Sequence, residues 1–156
     1  MRRTKNMATA LELLRDRLAE DQMELSYDNI DGEYTLRLVL DSIGDAEDGV
    51  IVVEVSRVPV EEQEEYGYYH FMSVLANDIT DAQLKNTLVN INEINTETLL
   101  GNYSVVPEAG AMVHKYVLRV NDENPEETAE DLYQCLVDLV AIVNNDYDRV
   151  LSAIAE

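Results

Sequence analysis

The sequence predicts a single α+β domain, an antiparallel sheet with helices packed on it, in the order α-β-β-β-α-β-β-α. Three observations lead there. Residues 34–40 and 50–58 alternate apolar and polar positions with the two-residue period of a half-buried strand. Residues near both ends repeat apolar positions at helical spacing. No repeat, low-complexity tract or linker divides the 156 residues, a length that suits one domain.

Met7, Leu11, Leu14 and Leu18 recur at steps of four, three and four, which places a helix over about 6–21. Tyr34, Leu36, Leu38 and Leu40 lie on one side of the first strand, with Thr35, Arg37 and Val39 on the other. After the polar turn 44–49, residues 50–58 form a second strand with Ile51, Val53 and Val55 facing inward. Pro59 and the acidic run 61–65 mark a solvated loop. Residues 66–75 (YGYYHFMSVL) form a third strand, with helix as the alternative. Thr80-Asp81-Ala82-Gln83 has the form of a capping box, and Leu84, Leu88 and Ile91 continue it as a helix over about 81–95. Tyr103–Pro107 and Met112–Val120 read as a hairpin around Glu108-Ala109-Gly110. Asn124-Pro125-Glu126-Glu127 opens the last helix, about 126–154: Asn caps, Pro suits the first turn and the acids complement the dipole.

That last helix has a broad apolar surface. Leu132, Leu136, Leu139 and Val143 make one stripe, and Tyr133, Val137 and Val140 make a second beside it. A helix lying on a sheet needs one stripe, so the second calls for a neighbouring helix or a second subunit. Tyr133, Val137 and Val140 are therefore a candidate dimer face.

Eleven Lys and Arg against 32 Asp and Glu leave a formal charge of −21. Leu, Ile, Val and Phe supply 45 residues, enough for a folded core despite that charge. The balance argues against binding nucleic acid, which needs a basic footprint, and against anionic membrane surfaces. Five of the cations (Arg2, Arg3, Lys5, Arg15 and Arg17) fall in the first 17 residues. No apolar run long enough for a signal peptide follows them, so they read as a patch that softens a repulsive surface or docks on an acidic one, such as a second copy. The single cysteine, Cys135, points to a reducing, cytoplasmic compartment.

Three segments in the second half carry a resemblance: Asn90-Ile91-Asn92-Glu93-Ile94-Asn95, Gly101-Asn102-Tyr103 and Val113-His114-Lys115-Tyr116. With the element order, size and acidity, they resemble the YbjN-type domain, described for bacterial regulators of sensory transduction, and more broadly the type III secretion chaperone-like fold. The resemblance implies a compact homodimer that binds protein segments, with no catalytic residues to carry over. The Asn residues themselves suit helix-end caps and turns.

Known catalytic and nucleotide-binding motifs are absent from the sequence. His114 sits beside Lys115 in a strand, with no ligand at a useful offset. Cys135 lies within an apolar stripe near Asp131 and Asp138, which raise rather than lower a thiol's pKa. The acid clusters Asp41, Asp45, Glu47, Asp48 and Asp122, Glu123, Glu126, Glu127 do not have EF-hand spacing. Accordingly no catalytic residue, metal or cofactor is expected. Tyr66, Tyr68, Tyr69 and Phe71 cluster after the acidic loop and are the candidate strip for a peptide or a second subunit, since tyrosine couples an apolar face to a hydroxyl. The functional expectation is a non-enzymatic interaction module that binds a polypeptide as a dimer, by strand addition at a sheet edge. The alternatives are an acidic mimic that blocks a basic site on another protein, and an enzyme of unrecognised type.

Overall fold

The computed structural model describes residues 9–30, 33–61 and 65–154. The expected positions Met7, Arg2, Arg3, Lys5 and 62–64 lie outside them. Among the described residues, three helices and six strands follow in the order α1 (Ala10–Glu20), β1 (Glu24–Ile30), β2 (Glu33–Ile43), β3 (Gly49–Val58), β4 (Tyr66–Ala76), α2 (Asp81–Glu97), β5 (Asn102–Val106), β6 (Ala111–Asn121) and α3 (Pro125–Ser152). The strands form one antiparallel sheet, ordered β1-β2-β3-β4-β6-β5, with helices packed against it. The α+β class is as expected, and residues 66–76 are strand.

The sheet has one strand more than the sequence pattern predicts. Residues 24–30 pair with β2 from Glu24↔Val39 to Ile30↔Glu33. Its inward positions, Leu25 and Tyr27, are only half-buried, so its alternation is weak in composition. The Asp31-Gly32 dipeptide between the two runs is the sequence signal that marks such a hairpin.

Each helix begins where local chemistry dictates. Thr9 caps α1 by accepting the Glu12 N–H at 3.2 Å. In the Thr80 box the Gln83 side chain accepts the Thr80 N–H at 2.9 Å. Asn124 accepts from the N–H groups of Glu126 and Glu127 at 3.0 and 3.3 Å, with Pro125 in the first turn.

Alternation then divides the sheet into two faces. Leu36, Leu38, Ile51, Val53, Val55, Tyr69, Phe71 and Met112 point to the helices and are buried. Leu132, Leu136, Leu139, Val143 and Val150 of α3 close over them. α1 lies beside α3, where the Arg17 guanidinium stacks 3.5 Å over the Tyr133 ring and pairs with Glu130. α2 meets the far end of α3: Asn90 donates to the Ala153 carbonyl at 2.9 Å, and Arg149 pairs with Glu97 at 2.6 Å. No helix among the described residues is long and apolar enough to cross a membrane.

Candidate functional site

The candidate residues from the sequence fall on two surfaces. The tyrosine strip divides, because neighbours along a strand point to opposite faces. Tyr69 and Phe71 are 2% and 1% exposed beneath the helices and belong to the core, which removes them from any partner contact. Tyr69 is held there by its hydroxyl, which donates to Asp122 at 3.0 Å, while Arg57 reaches the same carboxylate at 2.9 Å. Tyr66 and Tyr68 point to the opposite face of the sheet, which no helix among the described residues covers, and Arg119 stacks 4.4 Å over the Tyr66 ring.

Tyr133, Val137 and Val140 line a groove of about 390 Å³ between α1, the end of β2 and α3. Leu18, Leu38, Ile43 and Leu136 are buried in its walls and Leu40 is half-buried. Val137, 46% exposed, and Met23 stand at its mouth, and Asp21 and Asp41 supply acidic rim. A register shift in the β2–β3 ladder between Leu40 and Ile43 forms the β2 wall. Such an irregularity bends a strand and re-aims its side chains. Below it, the turn after β2 is tied to α3: Asn144 accepts the Gly44 N–H and Asp148 accepts the Asp45 N–H, both at 2.8 Å. The second stripe of α3 is thus covered in part by α1, and Val137 remains open. Sequence patterns point to the α3 wall; the α1 and β2 walls have no local signal, since three separated segments make one groove.

Asn90 and Asn95 of the Asn motif are architectural. Asn95 at the end of α2 donates to the Tyr103 carbonyl at 2.9 Å and accepts the Tyr103 N–H at 2.7 Å. One side-chain amide therefore replaces the missing neighbour strand at the β5 edge, occupying backbone groups that strand addition would need. Gly101 has φ +72, and a Cβ there would meet the Lys115 carbonyl at 2.4 Å and the His114 ring at 2.7 Å. Both geometry and space require glycine.

His114 fills the room that Gly101 leaves. Its Nε2 lies 2.8 Å from the Leu100 carbonyl, which can only accept, so this nitrogen carries the proton. Its ring meets Tyr103 edge-on at 4.9 Å, and the Tyr103 hydroxyl donates to Asp146 of α3 at 2.9 Å. Burial holds the His114 pKa below the ordinary histidine value, and burial together with the Asp146 bond and charge pushes Tyr103 up. The neutral imidazole and phenol join β5, β6 and α3.

On the other flank of α3, a hollow of about 500 Å³ against β6 includes Leu100, Tyr116, Leu118 and Cys135 among its walls, with Asp131 and Asp138 beside them. Burial, then the Asp138 charge, push the Cys135 thiol up to about 12, which leaves it protonated at neutral pH. Among the described residues no three carboxylates, thiols or imidazoles gather into a metal-sized cluster.

No protein-family model matches the chain, and no curated protein matches it.

Proposed function

We propose that the chain is a non-enzymatic protein-interaction module that works as a dimer and holds an amphipathic helix with basic flanks in the groove between α1, β2 and α3. The observation that carries this is the groove itself: apolar walls and a half-exposed Val137 at the mouth, in a chain of net charge −21. Helix-in-groove recognition places apolar anchors at i, i+3, i+4 and i+7 against such walls. Asp21 and Asp41 favour Lys or Arg beside those anchors, and the field of the whole molecule accelerates encounter with a cationic segment. Strand addition is the weaker mode at β5, where Asn95 already holds the Tyr103 backbone. The YbjN-type resemblance, with its implied binding of protein segments, agrees with this function.

Calorimetric titration tests it with a helical peptide of about 18 residues, five turns long, built from Leu on one face and Lys on the other. A matched peptide with Glu in place of Lys is the control. The Lys peptide binds, the Glu peptide does not, and Val137→Glu abolishes binding while the fold survives. Equal binding of both peptides, or binding indifferent to Val137→Glu, overturns the groove. Salt separates the groove from charge mimicry: a largely apolar groove loses affinity mildly between low and moderate salt, whereas a mimic of a basic site's natural ligand loses it steeply.

A further inference from the structure

The sheet face that no helix among the described residues covers is unusual for an acidic protein. Across the ladders, Val39, Val52 and Val74 lie half-buried in one transverse row, where a solvated antiparallel face ordinarily presents polar residues; the row ends on Val113, which at 1% exposure is already covered within the chain. The next row is Arg37, Glu54, Met72 and Lys115, with Arg37 and Glu54 paired at 3.7 Å. His70 and Val117 follow, then Tyr68 and Arg119. Val117 is 53% exposed.

We propose that this face is where two copies of the chain meet, sheet against sheet. The inference rests on the dimeric reading above and assigns its surface. Three features single out a second copy as the occupant. The first is charge. The face carries three cations, Arg37, Lys115 and Arg119, against four carboxylates, Glu24, Asp28, Glu33 and Glu54. A second copy laid on it meets a nearly neutral surface, whereas α3 alone presents seven carboxylates and one arginine over Pro125–Ser152. Two copies of a strongly acidic chain associate most readily where their own charges cancel.

The second is shape. A two-fold interface puts the same patch on both partners. Concave against concave leaves a void, which disfavours the helix-side groove as a self-contact. Twisted sheets of the same hand stack face to face at about 30° with interlocking side chains. The third is area. Six strands about 4.8 Å apart, over about seven residues at 3.3 Å, give a face of roughly 29 by 23 Å, near 700 Å² in plan. A standard interface uses about 800 Å² from each partner.

Light scattering on the full chain between roughly 1 and 100 µM tests the inference. The wild type weighs twice the 17.7 kDa of one chain. Val117→Glu, at a position already open to water, adds a carboxylate to the contact and raises the dimer dissociation constant at least about tenfold. Lys115→Glu does the same by turning the charge balance against itself, more so in low salt. Circular dichroism verifies that both variants are folded, and Lys115→Glu keeps the test open if Val117→Glu is not. Val137→Glu, in the groove, leaves the mass unchanged. A wild-type mass of one chain throughout, or a dimer that folded Val117→Glu and Lys115→Glu leave intact, overturns the proposal. Peptide binding in the groove reads separately: its loss with a dissociable dimer refutes the groove and not the sheet contact.

Discussion

The two faces of the sheet are made of neighbouring residues with opposite fates. Phe71 lies under the helices at 1% exposure, while Met72, next to it in β4, points to the open face and is half-buried. The covered face gathers Leu, Ile and Phe and is closed by a strongly acidic helix layer. The open face gathers valine, paired charges and half of the six cations that follow Arg17. Hydrophobicity and net charge are therefore sorted independently in this sheet. The helix layer buries apolar stripes and turns carboxylates to solvent, and the open face mixes apolar and charged residues so that its charge nearly cancels.

The largest test of that contrast is truncation on each side. Phe71→Ala removes a fully buried ring and lowers unfolding stability by about 3–5 kcal/mol. Met72→Ala costs less than about 1.5 kcal/mol in the isolated chain, because its side chain is only partly withdrawn from water. Urea unfolding at low protein concentration measures both, and equal losses would erase the distinction between the faces.

Next comes the sheet margin. Asn95→Ala leaves the Tyr103 N–H and carbonyl without the amide that holds them and costs about 1–3 kcal/mol. Arg37→Ala, which breaks an exposed pair on the open face, costs at most about 1 kcal/mol. Amide exchange at Tyr103 accelerates in Asn95→Ala and not in Arg37→Ala.

Protonation probes both faces through the two histidines. Burial lowers the pKa of His114 on the covered side, and burial together with Lys115 lowers that of His70 on the open side. The unfolded chain then binds protons more readily than the folded one below the ordinary value near 6.5, so stability is full above it and falls as pH drops. Unfolding free energy decreases from about pH 7.5 to 5.5, and His114→Gln flattens that decline at the cost of a lower plateau. A flat or rising wild-type profile contradicts a neutral imidazole at buried His114 and half-buried His70.

The smallest effect is ionic. Self-repulsion in a chain of charge −21 lowers stability in low salt, so the melting temperature rises by roughly 2–5 °C on going to moderate salt. A flat response shows that pairing already neutralises the helix layer.

Most of this architecture is legible in one dimension. The caps at Thr80 and Asn124, the alternation of β2 and β3, and the hairpin around Glu108–Gly110 depend on residues a few positions apart, and all appear where expected. β1 escaped because only Leu25 and Tyr27 mark its inner side and both are half-covered. The tyrosine strip was legible as a cluster but not as two populations. Composition places Tyr66, Tyr68, Tyr69 and Phe71 together, and the two-residue period sends two outward and two inward. Tyr133, Val137 and Val140 were visible as excess apolar perimeter, yet their groove needs Leu18 and Met23 from before the sheet and Leu40 and Ile43 from within it.

By itself the sequence determined the period of each element, its start and stop, the identity of the strongest core stripes and the excess of negative charge. These follow from contacts within a turn or a strand, where the chain's own geometry sets which residues are neighbours. The tertiary structure decided which apolar residues stay uncovered, which backbone edge Asn95 holds, and where opposite charges cancel. Those depend on distances between segments tens of residues apart, and pattern along the chain does not encode them until the sheet and its helices have closed.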